Sequence, residues 1–173
     1  LTLKDINVNY TNSSRGAIYW SSYKHLTIDV ETNSNFIKNG SDSALNGAVG
    51  YSGNGPSLTI KGTGSLKIEG KYGIWVWKNI TIEGNVNVDI TATVGGIYNN
   101  DTSGKITIKD NANVTIDSNG YGIGYDNGKS NIPLINGGTL TVKGTTAAMM
   151  KAPEFDDESK YKITASTSKT GEA

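Results

Sequence analysis

Apolar and polar residues alternate along short segments of this chain, and the same segments return in the same order. One kind opens on Gly: GAIYW from Gly16, GAVGY from Gly47, GIWVW from Gly73, GIYNN from Gly96 and GIGYD from Gly122. A second reads LTLKD from Leu1, LTIDV from Leu26, LTIKG from Leu58, ITIEG from Ile80 and ITIKD from Ile106, with IPLIN from Ile132 as a weaker copy. A third reads INVNY from Ile6, LKIEG from Leu66, VNVDI from Val86, VTIDS from Val114 and LTVKG from Leu140. Period-2 alternation is the mark of a strand with one buried and one wet face. Counting from Ile18 through Val49, Ile74, Ile97 and Ile123, successive spacings are 31, 25, 23 and 26 residues. A repeat of that length signals a solenoid.

Three strand types recurring in fixed order predict that each strand pairs with its counterpart one repeat away. The expected fold is all-β, a parallel β-helix with three strands per coil and about six coils. Each coil rises by about 4.8 Å, so about six coils make a stub roughly 30 Å long. The bore is expected to hold the columns Ile18/Val49/Ile74/Ile97/Ile123 and Ile28/Ile60/Ile82/Ile108, with Gly84, Asp110 and Asn111 taking the bends. Hairpins would favour two-residue Asn-Gly or Asp-Gly turns, whereas the links here are short asymmetric segments such as EGN, KDNAN and KGTGS. A β-sandwich is the structural alternative, but it gives no reason for the constant order.

Composition agrees. Gly, Asn, Thr and Ser make up 44% of the 173 residues, a poor mixture for helices. No apolar run approaches the length of a membrane span. Sixteen basic residues cancel sixteen acidic ones, and Arg15 is the only arginine, so no basic patch points to nucleic acid. There are no cysteines, which excludes disulfides and thiolate metal sites. The chain opens in mid-strand without a leader-like segment, and the expectation is a single domain over 1–173 excised from a larger surface protein. Beyond Gly144 the repeat weakens, and 145–173 is expected to be an irregular final coil or cap carrying the acidic loop Asp156, Asp157 and Glu158.

The pattern GAVGY…PSLTIKGTGSLKIEG…GIWVW…ITIEGNVNV resembles bacterial right-handed β-helix carbohydrate-binding domains of the clostridial pectin-binding type, relatives of the pectate-lyase-like superfamily. The resemblance covers roughly residues 1–145 and rests on repeat grammar. It implies a right-handed coil, a secreted or wall-bound protein, polysaccharide binding and often bound calcium.

Alternation directs the candidate chemistry. If Ile74, Val76 and Ile97 face the bore, then Trp75, Trp77 and Tyr98 face outward on adjacent coils, with Tyr19 further along the same column. Aromatic faces suit the C–H groups of sugar rings, while hydroxyls seek amides and carboxylates such as Asn100. The structural reading of the same residues is a patch covered by a loop or neighbouring domain. Asp101 and Asp126 lie at one corner on consecutive coils and are the candidate calcium ligands, although Asn and Asp are also ordinary turn residues. No other cofactor is expected. Lys78 and Lys129 are the lysines nearest the corners for lyase chemistry, without an acidic cluster beside them, and His25 is the sole histidine.

The leading expectation is a non-catalytic module gripping plant cell-wall or mucosal polysaccharide at a bacterial surface. A structural stalk or adhesin segment without a sugar site comes second, and a polysaccharide lyase third.

Overall fold

A computed structural model describes residues 1–11, 15–20, 25–40, 48–50, 57–99, 104–124, 133–155 and 161–166. It is all-β: among the described residues sixteen strands join in one sheet, they pair in parallel, and the sheet coils into a solenoid. No helix among the described residues is long and apolar enough to cross a membrane.

Each turn has three walls. The first stacks β3 (Ile18–Tyr19), β6 (Val49–Gly50), the ends of β8 (Ser65–Val76) and β10 (Asn87–Asn99), then β12 (Tyr121–Ile123) and β14 (Ala147–Met149). The second stacks β1 (Thr2–Leu3), β4 (Leu26–Val30), β7 (Leu58–Gly62), β9 (Ile80–Ile82), the starts of β11 (Ile106–Ser118) and β13 (Pro133–Gly144), and β15 (Glu154–Phe155). The third stacks β2 (Asn7–Tyr10), β5 (Asn35–Asn39), the starts of β8 and β10, the ends of β11 and β13, and β16 (Tyr161–Ser166). Several strands therefore run round a corner unbroken, where separate strands joined by turns were expected.

Both expected columns exist. Ile18 pairs with Val49, Val49 with Ile74, Ile74 with Ile97, and Ile97 with Ile123. Ile28, Ile60, Ile82 and Ile108 pair in series, and all four are fully buried. Stacking like on like keeps the bore apolar through its length, and each buried aliphatic side chain adds about 1.5–3 kcal/mol. The third column runs Val8, Ile37, Ile68, Ile90, Ile116 and Val142, with the exposed Ala165 level with Val142 on the last described strand. Its member Ile37 sits on β5, a strand absent from the expected third series. That series also placed Val86 level with Leu66, whereas Val88 holds that register and Val86 lies buried at the corner.

Corner chemistry repeats too. Gly62, Gly84, Asp110 and Gly137 all have positive φ along the corner between second and third walls. Asp110 adopts φ 60°, in the left-handed region that Asp enters more readily than most residues, and its carboxylate accepts from the Gly84 N–H on the neighbouring coil at 3.1 Å. Beside it the Asn111 amide donates to Asn85 Oδ1 at 3.0 Å. The segment after Gly144 keeps the register: Met149 pairs with Ile123, Ile163 with Leu140 and Ala165 with Val142. Asp156, Asp157 and Glu158 lie outside the described residues.

On the wet side of the third wall, Glu69 takes Lys67 at 2.8 Å and Lys38 at 3.3 Å. The hydrogen bond from Lys67 is the main cause holding the Glu69 carboxyl below its ordinary value. A lowered folded value means stabilisation that is complete above the unfolded carboxylate range and lost as pH falls through the folded one. Glu69→Gln should therefore lower stability slightly at neutral pH and leave it unchanged only in acid below the folded value, which itself lies below the ordinary 4.5. Urea titrations of both proteins at the two pH values read the difference; an equal gap at both would remove the ion pairs as its source.

Candidate functional site

The first wall carries its aromatics outside the bore. Tyr19 is level with Gly50, Gly50 with Trp75, and Trp75 with Tyr98. Their chain neighbours Ile18, Val49, Ile74 and Ile97 belong to the core, so alternation sets these rings on the opposite side of the wall. Trp75 meets Tyr98 edge-on, with ring centres 4.9 Å apart and planes at 75°.

A third ring joins them that alternation did not indicate. Tyr72 precedes Trp75 by three residues, but β8 is rounding the corner there. Its ring centre lies 4.7 Å from Trp75, again edge-on, and 6.3 Å from Tyr98. A Cβ at Gly95 on the next coil would stand 3.1 Å from Tyr72 Cδ1, so the bare glycine backbone makes room for this ring. The pairing of Gly95 with Tyr72 was the sequence signal, readable only once the register was known.

This packing corrects the expected open platform. Tyr98 is only 2% exposed and Tyr72 only 6%, while Trp75, Trp77 and Tyr19 are half-buried. Edge-to-face contact lets the rings bury one another, and that is why they do not stand free in water. Trp75 Nε1 is buried without a hydrogen-bond partner among the described residues. At the far end of the column the Arg15 guanidinium sits 5.1 Å from the centre of the Tyr19 ring. What remains accessible is therefore parts of Trp75, Trp77 and Tyr19, with Trp75 backed by the two buried tyrosines.

Asn100, Asp101 and Asp126 lie outside the described residues, as does Lys129. Their neighbour Asn99 is buried and its amide donates to the Lys78 carbonyl, closing that corner. Among the described residues no group of three His, Cys, Asp or Glu side chains could hold a metal ion. Lys78 and His25 are exposed.

A family profile described as carbohydrate-binding domain-containing protein matches residues 1–172, nearly the whole chain. No curated protein and no solved structure matches it. With its coil of parallel strands and this full-length match, the chain belongs to the carbohydrate-binding domain-containing family.

Proposed function

We propose that the chain is a non-catalytic polysaccharide-binding module that acts at a bacterial surface or in the secreted space. Its polymer lies along the first wall. The aromatic cluster outside the bore carries this reading: a mere spacer needs no Tyr72, Trp75 and Tyr98 rings packed together on the outer side of its wall. Trp75 and Trp77 offer their accessible parts to sugar C–H groups, and Tyr72 and Tyr98 brace Trp75 from behind. Tyr19 extends the track past Gly50, and Asn100 reads hydroxyls. Asp101 and Asp126 hold calcium if the polymer is a uronate of the pectin type; plant cell-wall and mucosal glycans are the polymer classes in view.

Replacing Trp75 and Trp77 together by Ala should weaken polysaccharide binding about tenfold or more, or about 1.4 kcal/mol. Because Trp75 is also packed, Trp77→Ala alone is made beside it and circular dichroism checks both folds. Calorimetry across a glycan panel, with calcium and with chelator, gives the affinities. Unchanged affinity in a folded double variant would put the stalk reading ahead.

A further inference from the structure

The repeat grammar breaks at one place on the third wall, and it breaks twice in adjacent residues. In later coils the column through Leu66, Val88, Val114 and Leu140 is apolar and buried. At β5 that position is Asn35, 3% exposed. The next position outward holds Lys67, Asp89, Thr115 and Thr141 on the following coils, yet at β5 it is Phe36. A polar residue stands in the bore and an aromatic on the wet face. Departures of this kind from an otherwise consistent pattern concentrate at functional sites.

Both departures serve one cleft. Phe36 is half-buried at its edge, with Asn33, Ser34, Ser65, Lys67 and Asp89 around a volume of about 540 Å³. The cleft is of the size that small-ligand sites take, about 300–1,000 Å³. Asn35 makes its base rigid. The amide donates to Thr32 O at 2.7 Å and Ser65 O at 3.2 Å, and Oδ1 accepts from the Ile6 N–H at 3.2 Å. Three coils are tied by one buried side chain. Above it the Ser65 hydroxyl donates to Asn33 Oδ1 at 3.3 Å.

We propose that this cleft is a second saccharide site, for one neutral sugar unit. The Phe36 ring meets the C–H face of the sugar, and Asn33, Ser65 and Asp89 exchange hydrogen bonds with its hydroxyls. One cation and one anion line the cleft, so a polyanion gains nothing there. The Lys67 ammonium pairs with Glu69 at 2.8 Å and also stands over the Phe36 ring, 5.7 Å from its centre, so the sugar stacks on the part of the ring that Lys67 leaves uncovered. The site rests on the carbohydrate-binding family and does not depend on the first-wall cluster. Two sites on different walls would let one module bridge two polymer chains.

Xylohexaose, mannohexaose and cellohexaose are titrated into the whole chain by calorimetry, and in parallel by tryptophan fluorescence, which reports the first wall. Two sites are expected in the unsubstituted protein. Phe36→Ala should lose one calorimetric site, at least about a tenfold loss of its affinity, with the fluorescence titration unchanged. Phe36→Trp should keep the site and add a fluorescence response of its own, which separates a lost ring from a lost fold. If Phe36→Ala keeps every site, the cleft is not one, and the first-wall reading stands. If Phe36→Ala abolishes all binding while the Trp75 and Trp77 substitutions change nothing, the first-wall reading falls and the cleft stands. A protein that binds none of the three sugars overturns the cleft as a neutral-sugar site, leaving the first wall to acidic polymers.

Discussion

Ile82→Ala is expected to destabilise the protein by about 2–5 kcal/mol, the range for truncating a buried aliphatic side chain. Ile82 is fully buried and lies between Ile60 and Ile108, its counterparts on the coils before and after. A solenoid has no distant layer that could collapse into the void. Its neighbours are held about 4.8 Å away by the hydrogen bonds of their own strands, so relaxation is limited. The loss comprises the transfer term for the missing carbons and a cavity term that the stacked isoleucines cannot close. Because each coil contacts chiefly its neighbours, damage at Ile82 also weakens the interfaces on both sides of it. Urea unfolding at constant slope measures the change. A loss below about 1 kcal/mol would mean that Ile82 is not sealed in the bore.

The coil, its parallel pairing and two bore columns were readable in the sequence for a physical reason. Stacking like on like makes each coil obey the same alternation, so Ile28, Ile60, Ile82 and Ile108 advertise their contact by occupying equivalent places. The strand NFIKN of β5 was missed because Asn35 and Phe36 reverse the expected polarity at its start, and only Ile37 keeps the column. Alternation also identified the side of the wall for Trp75 and Tyr98, but it is silent on what covers that side. Tyr72 reaches the cluster through the bend of β8, and once it is there Tyr98 is shut away. A period-2 pattern carries no information about bends. After Gly144 the pairing continues through Ala165, which is level with Val142 but exposed, and a small exposed side chain gives the repeat no apolar mark to read.

Gly96→Ala is expected to cost about 1–3 kcal/mol, toward the top of the overpacking range, although it adds a single methyl group to an extended strand. Gly96 has no special φ; its constraint is space. A Cβ there would lie 2.2 Å from Ile116 Cγ2 inside the bore and 2.6 Å from the Gly122 carbonyl oxygen on the next coil. Ile116 could yield by changing rotamer, but Gly122 O is backbone and moves only with its strand. The same collision recurs at Gly73 against Ile90 and at Gly122 against Val142, which explains why the first-wall segments open on glycine. There the first wall folds closest to the third, and an absent side chain lets the two meet. Gly40→Ala is the control, because its nearest neighbour would be 3.6 Å away, an ordinary contact, and removing a glycine restricts the unfolded chain. It should be neutral or slightly stabilising. Adding Ile116→Ala to Gly96→Ala separates the two clashes: the double variant should be less unstable than the sum of the singles, by about 0.5 kcal/mol or more. Strict additivity in chemical denaturation would place the whole cost on the Gly122 carbonyl, and a Gly96→Ala protein as stable as Gly40→Ala would show that the walls do not meet there.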